Sequence, residues 1–139
     1  MTAGAGGFVD ITARAKRIVF SGLFTAGAAL EIQNGALRIN REGKVKKLVE
    51  AVEQVSFSGP RAVLQGQEIV YVTERCVMRL EPAGLTVLEI APGVNLERDV
   101  LAQSEFPLLA SPHLKAMDAN LFHPEPMKLK LRPAMEAVQ

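Results

Sequence analysis

The stretch GLTVLEIAPGV at residues 84–94 decides the fold class, because a compact apolar run is followed by a proline–glycine ending. Residues 85–90 are rich in apolar and β-branched side chains, which predicts a strand. Residues 77–80 predict another strand just before it, and residues 81–84 join the two. Residues 69–73 predict a third strand by the same criteria. Strands therefore dominate this part of the chain.

Upstream, the sequence predicts a short helix, a strand and a hairpin. Residues 8–15 are expected to form a short helical turn, and the apolar run at 17–22, closed by glycine, predicts a buried strand. Residues 29–41 alternate apolar and polar side chains on both sides of Asn34-Gly35. Because both of these residues tolerate the positive φ angles of a type I′ turn, we expect a β-hairpin here.

The remaining segments carry weaker signals. Residues 46–58 fit either a helical stripe or strand alternation, with strand favoured for the last half. Residues 60–66 predict a short helix, with proline in its first turn and glycine at its end. Asn95 is expected to cap a helix that continues through residue 101. Residues 106–139 hold five of the eight prolines and predict an extended tail over a neighbouring surface.

The sum is an α/β fold, a Rossmann-like sheet with a β-hairpin, few short helices and an extended C-terminal tail. So few helices cannot cover both faces of a sheet. We therefore expect another chain or domain to cover one face, and the protein to be a homo-oligomer or a larger assembly.

Composition excludes several classes of protein. The chain of 139 residues is long enough for one domain, and its net charge of +1 indicates neither a nucleic-acid surface nor an acidic tail. Its most basic cluster, Lys44, Lys46 and Lys47, is expected to be solvated. The single cysteine, Cys76, excludes an internal disulfide and is expected to be a buried structural thiol. The first residues do not resemble a signal peptide, and no apolar stretch reaches the roughly 18 residues of a membrane span. We expect a cytoplasmic protein without a membrane partner.

Common catalytic constellations are not found in the sequence. The histidines His113 and His123 lack companions at metal-ligand spacing, so no metal site is predicted. The serines lack the Gly-x-Ser-x-Gly context of a serine hydrolase. The Gly-x-Gly-Gly run at residues 4–7 lacks the preceding strand and the third glycine of a dinucleotide-binding loop.

That glycine run is nevertheless the candidate site. Gly4, Gly6 and Gly7, followed by Phe8, would let the backbone approach a ligand closely. Consecutive backbone N–H groups in such a loop can bind an oxyanion or a thioester carbonyl. Taken by itself, the run is more typical of a disordered end or an expression remnant, and only its continuation into residues 8–11 and the motifs downstream favour a binding loop.

Three motifs in order resemble the family I coenzyme A transferases, specifically the C-terminal part of the β-type half in the acetate/propionate, short-chain acyl-CoA type. The resemblance spans about residues 4–105 and leaves 106–139 as a proline-rich C-terminal extension. The matching segments are the glycine loop at 4–7 with the strand at 18–20, the Thr-Glu segment at 73–78 and the Leu-Glu-Ile-Ala-Pro-Gly-Val segment at 88–94.

The resemblance implies a ping-pong reaction in which a glutamate carboxylate takes the acyl group and then holds coenzyme A as a thioester. None of the twelve glutamates matches that nucleophile, so no catalytic residue is assigned to this chain. Glu42 is expected to lie in a turn, and Glu74 and Glu89 match family positions as structural residues. Gly4, Gly6, Gly7 and Phe8 are implied to bind the coenzyme A thioester, which would be a substrate, with no permanently bound cofactor.

Two hypotheses follow. In the first, the chain is a C-terminal fragment or split piece of a short-chain acyl-CoA:carboxylate coenzyme A transferase. It would be inactive alone and would supply the glycine loop to a site completed by a missing N-terminal half or subunit. In the alternative, it is a non-catalytic binding or assembly module that retains the fold.

Overall fold

The computed structural model describes residues 7–50 and 59–130, and its centre is a five-stranded sheet. The strands are β1 (Arg17–Ser21), β2 (Thr25–Ala26), β3 (Ala29–Gln33), β4 (Ala36–Arg41), β5 (Val45–Lys46), β6 (Glu68–Val72), β7 (Cys76–Glu81), β8 (Gly84–Ile90) and β9 (Leu109–Ala116). The helices are α1 (Phe8–Arg14), α2 (Gly59–Leu64), a π-helical turn (Leu96–Val100) and two 3₁₀ turns (Leu101–Gln103 and Ala119–Phe122).

The central sheet has the strand order β1-β6-β7-β8-β9 and mixes parallel with antiparallel pairs. The two outer pairs, β1 with β6 and β8 with β9, are parallel, whereas the inner pairs are antiparallel. The chain reaches β6 from β1 through two small two-stranded sheets, residues 51–58 and α2. The predicted α/β class with few short helices is confirmed.

The predicted hairpin is present as β3 and β4, paired antiparallel from Ala29 to Arg41. Asn34 and Gly35 both have positive φ, 53° and 75°, as a type I′ turn requires. A Cβ atom on Gly35 would lie 2.6 Å from His123 Nε2. The positive φ favours glycine here, and a larger side chain would also require the exposed His123 ring to move aside.

Two other local predictions hold. Helix α2 begins at Gly59 and is followed by Gly66 at a φ of 68°, which agrees with the short helix expected at 60–66. Asn95 Oδ1 accepts a hydrogen bond of 2.8 Å from Arg98 N and caps the turn at Leu96–Val100. The segment 46–58, which fitted either a helix or a strand, is described only up to residue 50. In that part Lys46 ends strand β5, and residues 47–50 are in neither a helix nor a strand. Residues 51–58 lie outside the described residues.

Strand β1 corrects the sequence-based prediction. The strand was expected to be buried, but it lies at an edge of the sheet and its side chains alternate between exposed and half-buried. Val19 is 57% exposed, whereas Phe20 stacks on Tyr71 with ring centroids 5.1 Å apart. A compact apolar run does not distinguish a strand covered on both faces from one covered on one face, which is why the prediction was wrong for Val19.

The tail is extended, as expected, and it also adds a strand that the sequence did not predict. Leu109–Ala116 forms β9 and pairs in parallel with β8, and Met117 and Phe122 beyond it are buried. Pro112 within β9 is compatible with a position at the edge of the sheet, where one side of the backbone needs no partner. The division after residue 105 stays a prediction.

Side chains on the two faces of the sheet join two separate cores. Met78 and Val87 are paired across β7 and β8 and pack in the first core. Val77 points to the opposite face and packs against the second core, beneath the β3–β4 hairpin. The buried members are Phe24, Cys76, Met78, Val87 and Val100 in the first core and Leu37, Ala91, Met117 and Phe122 in the second.

The face of the central sheet that carries the second core is only partly covered by other elements away from the β3–β4 hairpin. The register places Val19, Val70, Arg79, Thr86 and Leu109 in one row across the sheet on that face. The ends of this row are exposed, since Val19 is 57% and Leu109 40% accessible. Among the described residues no helix is long and apolar enough to cross a membrane.

Candidate active site

A cavity of about 210 Å³ lies where the parallel strands β1 and β6 end. Parallel strands bring their carboxyl ends to the same edge of a sheet, where ligands bind in open α/β folds. Gly22, directly after β1, donates its N–H to the carbonyl of Val72 at the end of β6, over 3.1 Å. This bond joins the ends of the two strands, and both residues line the cavity.

The cavity walls are mainly apolar, and aromatic rings form much of them. Phe20 and Tyr71 stack nearly parallel, with 20° between their planes. Tyr71 is half-buried, and burial raises the pKa of its hydroxyl above the ordinary value of 10.0. The remaining lining residues are Ser21, Gly22, Leu23, Phe24, Lys47, Leu48, Val72, Thr73 and Met78.

The predicted glycine segment is only partly described. Gly4 and Gly6 lie outside the described residues, whereas Gly7 precedes α1 and Phe8 begins it. Gly7 has φ −74° and ψ −3°, a conformation open to every residue, so it does not use the special freedom of glycine. The Phe8 ring lies 6.0 Å from that of Phe20, which brings the end of the glycine segment beside the cavity wall.

The sequence did not predict the strongest electrostatic feature, the buried guanidinium of Arg75. This side chain is fully inaccessible to solvent. It makes a two-pronged ion pair with Glu42, with both N–O distances 2.7 Å, and a third contact of 3.1 Å with Glu74. The Thr25 hydroxyl and the Asp99 carbonyl accept the remaining bonds, at 3.0 and 2.8 Å. All five N–H donors of a guanidinium are thereby used.

We call Arg75, Glu42, Glu74 and Thr25 the arginine cluster, and it adjoins the cavity. The Arg75 guanidinium lies 5.4 Å from the centre of the Phe24 ring, within cation–π distance. Glu74 Oε2 accepts a hydrogen bond of 2.8 Å from Phe24 N. Phe24 is therefore held at both its backbone and its ring. The sequence feature that could have indicated this cluster is the charged pair Glu74-Arg75 inside an apolar run.

Glu42 is committed to this cluster. Its hydrogen bond from Arg75, together with those from Thr25 and the N–H of Gly43, lowers the pKa of the carboxyl group from 4.5 to about 2. A Cβ atom on Gly43 would lie 2.5 Å from the carbonyl oxygen of Ala26, so only glycine fits. The turn expected at Glu42-Gly43 is thus a tightly packed part of the arginine cluster.

Other glutamates form surface ion pairs. Glu89, expected to be structural, pairs with Lys115 at 3.1 Å and links β8 to β9. Glu68 pairs with Arg17 at 2.6 Å between β6 and β1. These contacts connect neighbouring strands.

The remaining sequence candidates show no reactive arrangement. Cys76 is fully buried, as expected, and burial raises the pKa of its thiol to about 11, which keeps it neutral near pH 7. His113 lies in β9, and His123 packs against the hairpin at Gly35. Within residues 7–50 and 59–130, no group of three or more histidine, cysteine, aspartate or glutamate side chains is placed to hold a metal ion.

The sequence of this chain is similar to those of known proteins. No family model matches the chain. It is 50% identical over 119 residues to caffeate CoA-transferase of Acetobacterium woodii, covering 86% of this chain and 23% of that protein. It is 46% identical over 120 residues to acetate CoA-transferase YdiF of Escherichia coli K12, with the same coverage.

Solved structures agree with the sequence comparison. The acyl-CoA transferase YdiF apoenzyme from E. coli O157:H7 superposes with a TM-score of 0.89 at 43% identity, covering 94% of this chain and 26% of that one. The thioester complex of the same enzyme with CoA superposes with a TM-score of 0.83 at 44% identity, covering 87% and 24%.

The sheet and the matched residues together define a coenzyme A transferase fold. The chain belongs to the family I coenzyme A transferases, as its motifs indicated. It spans about a quarter of the length of the curated relatives it matches.

Proposed function

We propose that this chain supplies part of the active site of a short-chain acyl-CoA:carboxylate coenzyme A transferase. The observation that carries the proposal is its 43% identity and TM-score of 0.89 to an acyl-CoA transferase, which has also been solved as a thioester complex with CoA. The substrates would be a coenzyme A thioester and a carboxylic acid, with no permanently bound cofactor.

In this proposal Gly4, Gly6, Gly7 and Phe8 form the wall that faces the thioester. Backbone N–H groups of the glycine run would donate to the carbonyl oxygen of the thioester as negative charge develops on it. Phe8 would fix the end of the run, because its ring lies beside Phe20 at the cavity. The chain's own contribution is then orientation and charge stabilisation.

The covalent glutamate is proposed to lie on another part of the transferase. The support is that the carboxylates nearest the cavity are already engaged. Both oxygens of Glu42 contact Arg75, and Glu74 is shared between Arg75 and the N–H of Phe24. Removing either from its buried guanidinium would leave an unpaired charge, which is costly. Neither is therefore suited to accept an acyl group.

The partner in this proposal is the rest of the transferase, the expected N-terminal half or subunit. The incompletely covered sheet face around Val19 and Leu109 supports an association, either with that part or in a homo-oligomer. A cytoplasmic location is proposed with it, in keeping with the reduced thiol of Cys76.

The test is complementation. The chain would be assayed for transfer between acetyl-CoA and propionate, alone and together with the portion of E. coli acetate CoA-transferase that it does not match. We expect no turnover alone and measurable turnover in the mixture. Borohydride trapping followed by mass spectrometry should locate the glutamyl thioester on the added portion.

A stable coenzyme A adduct on any glutamate of this chain would contradict the assignment of the nucleophile. In the complemented enzyme, Gly6→Val should lower turnover by roughly 10²–10³-fold, the effect of losing one oxyanion donor. If the two portions associate but no transfer of coenzyme A is detected, either with the portions separate or with them mixed, the alternative of a non-catalytic assembly module gains support.

A further inference from the structure

We propose that the aromatic cavity at the ends of β1 and β6 binds the apolar body of the carboxylic acid substrate, with the acid's carboxylate directed toward Lys47. The inference rests on the proposed transferase function and extends it, because it assigns the acid to particular residues. Four properties of the cavity support this proposal: its position, its size, its lining and its rim.

Position favours a substrate site over a packing defect. The cavity lies at the carboxyl ends of two parallel strands and is bounded by Ser21, Gly22 and Thr73 just as the strands end. Its wall residue Phe20 contacts Phe8, which follows the glycine segment directly. A ligand held here would lie next to the proposed thioester-binding wall.

The size of the cavity suits a small apolar body. The volume of about 210 Å³ corresponds to roughly seven water molecules at about 30 Å³ each. An acid with roughly six or seven non-hydrogen atoms would fill it by that measure. The cavity is open to solvent on one side, so a short acyl body can occupy it while the carboxylate stays outside.

Lining and rim determine the chemistry. Apolar side chains, among them Leu23 and Leu48, line the interior, and burial of methylene groups against them is favourable. Lys47 is the one charged residue among the lining residues and is exposed. An apolar interior with a single ammonium group at its edge matches an acid whose tail is buried and whose carboxylate stays near solvent.

The wall of the cavity is also held in place before any ligand binds. Phe24 is 2% exposed, and the arginine cluster fixes both its ring and its N–H. A wall supported in this way keeps its shape when the cavity is empty, so little ordering cost accompanies binding.

The chain contains its own reporter for this site. Tyr71 lines the cavity and is the only tyrosine, and the chain has no tryptophan. Intrinsic tyrosine fluorescence therefore reports on the cavity alone. The hydroxyl gives a second signal, because excluding water with a bound acid disfavours the phenolate and should raise the pKa of Tyr71 further.

The experiment titrates the chain with acetate, butyrate and hexanoate while Tyr71 fluorescence is recorded. Affinity should rise about fourfold for each added methylene, as expected for burial of apolar surface. Hexanamide, which lacks the charge, should bind about two- to fivefold more weakly than hexanoate. Lys47→Gln should abolish this difference, whereas Lys44→Gln, a neighbouring exposed lysine outside the cavity, should preserve it.

Gly22→Val is the blocking variant. Gly22 lines the cavity, a Cβ atom there would meet nothing within 4 Å, and its φ is not positive, so valine can be introduced at this lining position without a backbone clash. Hexanoate affinity should fall at least about tenfold, since losing two buried methylenes alone accounts for that range. Gly22→Ala should give a smaller loss, and circular dichroism would verify that both variants fold.

Equal affinities for acetate and hexanoate, no response of Tyr71, or unchanged binding by Gly22→Val would each overturn the cavity assignment. These outcomes are separable from the proposed function. Restored turnover on complementation with no hexanoate effect on Tyr71 would reject only the cavity. Hexanoate binding without turnover on complementation would reject the transferase function and leave a carboxylic acid site.

Discussion

The arginine cluster and the aromatic cavity share a wall at Phe24 but use opposite chemistry. Arg75 is fully buried and all its donors are used, whereas the cavity is lined mainly by apolar side chains and holds open volume. In the cluster, polar groups join segments that are far apart in sequence. In the cavity, apolar groups leave space for a ligand. The contrast indicates that carboxylates near a candidate site need not be catalytic, because here their charge serves to hold loops in place.

The largest expected effect tests whether the arginine cluster is structural. Arg75→Met removes the guanidinium and leaves Glu42 and Glu74 without their partner. Stability should fall by about 3–5 kcal/mol, the usual cost of breaking a buried ion pair from one side. Urea unfolding followed by circular dichroism measures the change.

Arg79→Met, in β7 four residues after Arg75, is the matched control. The ion pair of Arg79 with Glu81 is exposed, at 43% and 35% of the two side chains. Such pairs contribute about 0–1 kcal/mol. If the two variants lose equal stability, burial does not distinguish the arginine cluster from a surface pair, and the comparison between regions fails.

A second, smaller effect concerns the glycines of the two regions. Gly43→Ala would bring a Cβ atom against the Ala26 carbonyl in the arginine cluster, whereas the Cβ atom of Gly22→Ala would meet nothing within 4 Å. We expect a loss of about 1–3 kcal/mol for the first variant, the range for overpacking a tight site. The second should change stability by less than about 0.5 kcal/mol, as surface substitutions usually do.

Thermal unfolding of both glycine variants would show the difference. Equal melting temperatures would mean that the turn at Glu42-Gly43 can relax away from Thr25, and that the arginine cluster is looser than its geometry indicates.

The third and smallest effect is acid lability of the arginine cluster. The pKa of Glu42 is about 2 in the folded chain against an ordinary 4.5. Because the folded value is the lower one, the stabilisation is complete above about pH 4.5 and is lost as the pH falls toward 2. For a partly exposed carboxylate the loss should be on the order of 1–2 kcal/mol after solvent screening.

Urea titrations between neutral pH and pH 3 would measure this loss, with Glu42→Gln as the control. The variant should be less stable at neutral pH and should lose less stability on acidification. Asp99, whose pKa is lowered chiefly by Arg98, contributes in the same direction and remains in both proteins. Identical acid dependence in the two proteins would contradict the assigned role of Glu42.

The accuracy of the sequence predictions depended on how local each feature was. The hairpin turn at Asn34-Gly35 and the helix α2 between Pro60 and Gly66 follow from the backbone preferences of a few adjacent residues. Their rules are short-range, so a single sequence suffices. The order of the motifs was also enough to indicate the coenzyme A transferase family.

Features that depend on distant pairings were not predicted. Arg75 contacts Glu42 across 33 positions and Thr25 across 50, and no periodicity records such a contact. The pairing of β9 with β8 was likewise missed, because Pro112 and its polar neighbours lack strand alternation. The exposed face of β1 depends on which strand lies beside it, and that information is not local.

The amino-acid sequence by itself determined the α/β class, the turn and cap positions and the family, since these follow from local conformational preferences and motif order. Only the tertiary structure decided that Glu42 and Glu74 close on a buried Arg75, and that Phe20, Tyr71 and Phe24 surround a cavity beside Phe8. The physical reason is that charge pairing and cavity shape depend on atoms brought within a few ångströms by strand order. Segments separated by dozens of residues acquire that proximity only when the sheet forms.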